Sequence, residues 1–159
     1  MIYKMNTMKP IHNKELPEAI IRLWQRKGKI LHIKVDGHSM RPYFQKGDAV
    51  ELWIDDLNFH SLKTGDIIAF LQNNMIIVHR YIKKKSVGKK MKICQRGDHL
   101  LGYKWIDAQQ VIGTATAILR KGRRIDLLSR HQILWNRFLG ITGWIWIWAL
   151  ETNQFVNRN

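Results

Sequence analysis

Three short stretches of the sequence carry side chains suited to nucleophilic chemistry. Gly37-His38-Ser39-Met40-Arg41-Pro42 presents a serine beside glycine, with Pro42 stiffening the exit and Lys46-Gly47-Asp48 close behind. A serine nucleophile needs that exposure, a base to take its proton and backbone N–H groups aimed at the oxyanion that forms. The candidate base is His79, in Ile76-Ile77-Val78-His79-Arg80-Tyr81-Ile82. A free imidazole titrates at about 6.5 and therefore accepts a serine proton near neutrality. Asp98, in Cys94-Gln95-Arg96-Gly97-Asp98, can fix the imidazole tautomer and stabilise the imidazolium. Taken singly, each residue has a plainer reading: Ser39 as a turn serine, His79 as a hydrogen-bonded core histidine, Asp98 as part of an ordinary Gly-Asp turn.

The elements that would position these groups are mostly strands. Residues 30–36 alternate, with Ile30, His32, Lys34 and Asp36 against Leu31, Ile33 and Val35, as a half-buried strand should. Further strands are expected at Ala49–Ile54, Asp66–Leu71, Met75–Lys83, Lys90–Gln95, Gln110–Leu119 and Arg124–Leu128. Gly-Asp and Asn-Asn pairs separate them, and Asn73-Asn74 between two apolar runs marks a tight hairpin. Ahead of the strands, Leu16, Ala19, Ile20, Leu23 and Trp24 recur at helical spacing over Lys14–Lys27, with Pro17 in the first turn and Gly28 as the stop. Ser39 is thus expected at the end of a strand and His79 within one. The fold class is mainly β, a β-rich α+β arrangement. It divides into an N-terminal segment with a helix (1–29), a catalytic β domain (30–128) and a Trp-rich C-terminal segment (129–159).

A chain of 159 residues suits one modest core, and a 45% hydrophobic share excludes disorder as the default. The single cysteine, Cys94, excludes a disulfide framework and a thiol-rich zinc site; it reads as a small buried group in a strand. Neither a cofactor nor a metal ion is expected. Twenty-seven Lys and Arg against twelve Asp and Glu give a net charge of +15, a surface that attracts phosphates, anionic lipids or acidic peptides. The densest runs, Lys83–Lys85 with Lys89, Lys90 and Lys92, and 120–124, flank glycines and read as solvated hairpin tips. No recognition helix or stacking pattern accompanies them, so nucleic acid is not the expected partner. The opening residues carry no signal-peptide pattern, and the expected location is the cytoplasm, with peripheral contact to a membrane.

That contact would come from the other end. Ile133–Leu150 is rich in Trp, Ile and Leu, yet its uninterrupted part, Phe138–Leu150, spans 13 residues, short of the roughly 20 that a bilayer crossing needs. Gly140 and Gly143 loosen its helical spacing, and Trp144, Trp146 and Trp148 alternate with Ile145 and Ile147, which fits a strand as well as a helix. Trp135, Trp144, Trp146 and Trp148, with Arg130, His131 and Arg137 nearby, suit an anionic membrane surface. Packing of the same aromatics against the β domain is the alternative.

In combination, Gly-His-Ser-Met-Arg-Pro with Gly47-Asp48, Gly65-Asp66-Ile67-Ile68-Ala69-Phe70, Val78-His79-Arg80 and Arg96-Gly97-Asp98 resemble the ordered motif boxes of type I signal peptidases and their relatives. That superfamily also contains self-cleaving repressors of the SOS response. The resemblance covers roughly residues 30–120. It implies a twisted, largely antiparallel β assembly and a serine endopeptidase that cleaves an extended leader or signal-like segment. Histidine at 79, where bacterial signal peptidases have a lysine base, is similar to the Ser-His branch of the superfamily and to its small soluble bacterial members. The resemblance assigns Ser39 as nucleophile and His79 as base. Gly37 replaces an oxyanion-binding serine, leaving that work to backbone N–H groups beginning with that of Ser39. A further Asp common in Ser-His relatives is Lys104 here, which is why Asp98 and Asp107 both stay open. A peptidase-fold scaffold without activity, or a peripheral membrane-binding protein, is the alternative function. Cleavage should rise with pH through one ionisation between about 6 and 7.5.

Overall fold

The computed structural model describes residues 18–55, 61–100 and 102–156. Helix α1 (Glu18–Lys27) is followed by β1 (Lys29–Lys34), β2 (Ala49–Ile54), β3 (Ile67–Gln72), β4 (Met75–Val87), β5 (Lys90–Arg96) and β6 (Lys104–Asp107). A 3₁₀ turn (Ala108–Gln110), β7 (Val111–Arg120), β8 (Arg123–Asp126) and the long helix α2 (Arg130–Val156) complete it. Residues 14–17 of the expected first helix lie outside the described residues.

The strands form one antiparallel sheet in the order β1-β2-β7-β3-β4-β5-β6, with β8 paired to β7. Asn73 and Asn74 both take positive φ, 51° and 57°, the geometry whose twist matches a two-residue hairpin. Strand β3 is buried on both faces because each face packs into its own apolar cluster. Ile67, Ala69 and Leu71 join a cluster with Leu31, Val50, Leu52 and Ile112, while Ile68 and Phe70 join one with Tyr81, Ile93 and Ile106. Cys94 is a buried cysteine in no disulfide, clustered with Ile82 and with Ile147 of α2.

Two elements differ from the sequence expectation. Strand β6 was not expected: Lys104-Trp105-Ile106-Asp107 has too short a pattern to declare itself, and it becomes a strand by pairing with Lys92–Gln95 of β5. The C-terminal segment, ambiguous in sequence, is one helix. Its glycines do not break it; they let it approach the loop before β3 and the side chains of β4 and β5 closely. A Cβ on Gly140 would fall 2.5 Å from the Gly65 nitrogen, and one on Gly65 would fall 2.1 Å from the Asn136 carbonyl oxygen. The Trp-Ile alternation is therefore wound into a helix by a docking contact that sequence spacing does not reveal.

Candidate active site

Ser39 sits on the turn that follows β1, and backbone and buried side chains fix that turn from several directions. Beyond β1, Val35 N–H donates to the Asp48 carbonyl at 2.9 Å. The Asp48 carboxylate accepts from the Gln45 N–H at 2.8 Å and from Arg120 at 2.9 and 2.7 Å. Burial works to raise the pKa of Asp48, but the Arg120 guanidinium and the Gln45 N–H prevail and hold it below the ordinary carboxylate value. Asp66 repeats the device, accepting from the Lys63 N–H at 2.8 Å and pairing with Arg137 at 2.8 Å. The Gly-Asp boxes are therefore clasps that shape loops. Met40 and Phe44, both buried, anchor the turn below.

From the other side, His99 N–H donates to the Ser39 carbonyl at 2.8 Å. Gly97 is required by this closeness, since a Cβ there would lie 2.6 Å from the Ser39 carbonyl oxygen and 3.0 Å from the Ser39 Cβ. The turn after β5 thus braces the turn that carries the serine.

His79 lies in β4 opposite Ile68 of β3, with its ring in a T-shaped contact with the Phe70 ring at 5.8 Å between centroids. The structure brings Ser39 and His79 together: Ser39 Oγ is 2.9 Å from His79 Nε2. Gln95 Oε1 meets the other ring nitrogen, Nδ1. Burial pushes the ring's pKa below the ordinary imidazole value. The Gln95 hydrogen bond and the Asp98 charge act against that, and Lys104 adds to it.

The acids expected to orient the ring are engaged elsewhere. Both oxygens of Asp98 accept from Arg80, at 2.7 and 2.6 Å, so Asp98 acts on the ring through its charge while Gln95 makes the contact. Arg80 is 1% exposed; it also donates to the Gly65 carbonyl at 2.8 Å and to Asn136 Oδ1 of α2 at 3.1 Å. Asp107 ends β6 and pairs with Lys92 at 2.9 Å. Successive residues of β4 face opposite ways, which sends His79 to the serine and Arg80 to the carboxylate.

Sequence reading did not single out Gln95, Arg80 or Asn136. Gln95 is placed by strand register, which spacing along the chain does not carry. In the β4–β5 pairing Tyr81 stands opposite Gln95, so His79, two residues along, is its diagonal neighbour on the same face.

A groove of about 310 Å³ opens beside Ser39, between residues 33–37 on one side and 75–79 on the other, floored by Met40, Phe44 and Val50. The lining is predominantly apolar. Pairing of β4 with β5 begins only at Arg80, so β5 takes up none of the backbone from Met75 to His79. Among the described residues, no cluster of His, Cys, Asp or Glu is arranged to hold a metal ion.

Comparison with known proteins identifies the family. Residues 3–92 match the Peptidase S24-like family. The chain is 31% identical over 117 residues to the signal peptidase complex catalytic subunit sec11 of Sclerotinia sclerotiorum, covering 66% of this chain and 67% of that protein. The corresponding subunits of Verticillium alfalfae and Metarhizium acridum are each 30% identical over the same shares. These relatives correct the expected cytoplasmic location, because they are catalytic subunits of signal peptidase complexes. That expectation rested on the lack of a signal-peptide pattern and of a spanning stretch, neither of which decides a compartment. No helix among the described residues is long and apolar enough to cross a membrane. A fold, a serine and a histidine in contact, and a family match over more than half the chain converge: the protein belongs to the Peptidase S24-like family and is a serine peptidase of the signal-peptidase superfamily.

Proposed function

We propose that Ser39 is the nucleophile and His79 the general base of a peptidase that cuts an extended, signal-like or leader segment. The observation that carries this reading is the 2.9 Å contact between Ser39 Oγ and His79 Nε2. Ser39 Oγ attacks the scissile carbonyl carbon while its proton passes to Nε2. The carbonyl oxygen becomes an oxyanion, for which the backbone N–H of Ser39 is the nearest candidate donor. The tetrahedral intermediate collapses by breaking the C–N bond, and the Nε2 proton leaves with the amine. Water, deprotonated by the same nitrogen, then releases the acyl group and restores Ser39.

The groove suits the substrate. A peptide strand laid between residues 33–37 and 75–79 would gain main-chain hydrogen bonds from both walls and place alternate side chains on its apolar floor. The relatives' printed role, as catalytic subunits of signal peptidase complexes, supports a substrate of this class.

A fluorophosphonate probe tests the reading without knowledge of the natural substrate. Label is expected on Ser39, at a rate that rises with pH through one ionisation. Only the neutral ring accepts the proton, and burial favours the neutral form in the folded chain, so the midpoint should lie below the ordinary imidazole value of about 6.5. That is the low end of, or beneath, the range expected from sequence. An unlabelled Ser39 would instead favour an inactive peptidase-fold scaffold, and a rate that rises only in the lysine range would remove His79 from the role of base.

A second partner is supported by helix α2. Its inward side carries the buried Asn136 and Ile147, with Gly140 closely approached by the loop at Gly65 and Gly143 by the side chains of Ile82 and Arg96. Leu134, Phe138, Ile141, Ile145 and Trp148, spaced alternately four and three residues apart, form one stripe on the opposite side, and all are exposed. Trp135, Trp144 and Trp146 flank it and are exposed too. A helix docked by one face and apolar on the other suits an anionic membrane surface in a chain of charge +15. Arg137 is not free for lipid, since it binds Asp66 and the carbonyls of Lys63 and Thr64. The full chain is expected to float with anionic liposomes at low salt, and the combined Phe138→Ser, Ile141→Ser and Ile145→Ser variant, which spares the docked face, is expected to stay behind. Flotation unchanged by those substitutions, or absent in the parent chain, would leave α2 a packing element alone.

A further inference from the structure

We infer that Gln95 is the positioning residue of His79, setting the tautomer of the ring in the place where a carboxylate would otherwise act. The inference rests on the Ser39–His79 reading. An amide oxygen can only accept, so Gln95 Oε1 against Nδ1 requires the ring proton to be on Nδ1. Nε2 is then left with its lone pair, 2.9 Å from Ser39 Oγ, the form a base must have before it can take the serine proton. Gln95 is well placed to hold this arrangement: it is 2% exposed and sits on β5, paired to β4 on one side and β6 on the other.

The neighbouring carboxylate does not compete for the ring nitrogen. Asp98 gives both oxygens to Arg80, which Gly65 and Asn136 fix in turn. The charged groups acting on the ring are Asp98, from the turn after β5, and Lys104, at the start of β6, with opposite signs. Phe70 of β3 covers one side and Ser39 faces the other nitrogen. A neutral amide orients the imidazole but does less than a carboxylate to stabilise the imidazolium. The division of labour therefore gives a correctly oriented base that remains neutral at lower pH than a base contacted by a carboxylate.

The test reads the ring directly. Nitrogen-15 NMR of His79 in the full chain should show the Nδ1–H tautomer. Gln95→Glu, which keeps the shape and adds a charge, should retain that tautomer and move the titration midpoint of the ring up by about one pH unit or more. The acid limb of fluorophosphonate labelling should move by the same amount. Gln95→Leu should mix the tautomers and slow labelling at neutral pH by about 10-fold or more. Asp98→Asn should leave the tautomer intact. The inference is overturned if Gln95→Glu leaves both midpoints unmoved, or if Asp98→Asn and not Gln95→Leu disturbs the tautomer. A parent chain with the expected tautomer and an unlabelled Ser39 would sink the Ser-His reading, and with it the catalytic meaning of Gln95, while the NMR result would still report their contact.

Discussion

Replacing Ser39 or His79 by alanine is expected to reduce peptide cleavage by about 10⁴-fold or more, with the double variant hardly worse than either single one. The two groups make one proton-transfer unit, joined by the 2.9 Å contact between Oγ and Nε2. Once either is gone, the other has no partner for the chemical step. Both side chains lie beside an open groove, so truncation leaves no large buried void and the fold should persist. The measurement is turnover of a cleaved peptide, accompanied by thermal unfolding to show that the variants remain folded. Turnover by Ser39→Ala at the parent rate would remove Ser39 from the chemistry. Losses that multiply in the double variant would show that the two residues act independently.

The largest effect on stability is expected at Arg80. Its side chain is 1% exposed, donates to Asp98, Gly65 and Asn136, and places its guanidinium carbon 5.2 Å from the centre of the Tyr43 ring. Tyr43 in turn donates to Gln132 of α2 at 2.8 Å. Arg80→Met keeps most of the volume but strands the Asp98 carboxylate. Breaking a buried pair from one side costs about 3–5 kcal/mol, and the partial access of water to Asp98 favours the lower end. For a chain of this size that corresponds to a fall in Tm of roughly 10 °C. Adding Asp98→Asn to Arg80→Met should recover part of the loss, because the stranded charge disappears. A fall in Tm of only a degree or two, or no recovery in the double variant, would show that the pair contributes little. Arg80 also joins three parts of the molecule, the turn after β5, the loop at Gly65 and helix α2. Its loss should therefore loosen the bracing of Ser39 as well as the docking of α2.

The residues themselves carried the strand pattern and the chemistry-bearing types. Alternation over residues 30–36 and the Asn73-Asn74 hairpin depend on local periodicity and on backbone angles that neighbouring residues dictate, so they are legible along the chain. The Gly47-Asp48 and Gly65-Asp66 boxes were legible for the same reason, because each shapes its own loop. Asp48 and Asp66 each reach back three residues to a backbone N–H. Partner choice was not local. Asp98 is three residues from Gln95, and a list of residue types ranks the carboxylate first as the group to orient a histidine. Only the β4–β5 register, together with the facing of Arg80, assigns the carboxylate to the arginine and the amide to the ring. Strand β6 and the continuous helix α2 were decided the same way. The first exists through its pairing with β5, and the second because Gly140 fits against Gly65 where any side chain would collide. Periodicity determines which face of an element is apolar, whereas contacts between residues far apart in sequence determine which polar groups meet, and in this protein the candidate site is built from those contacts.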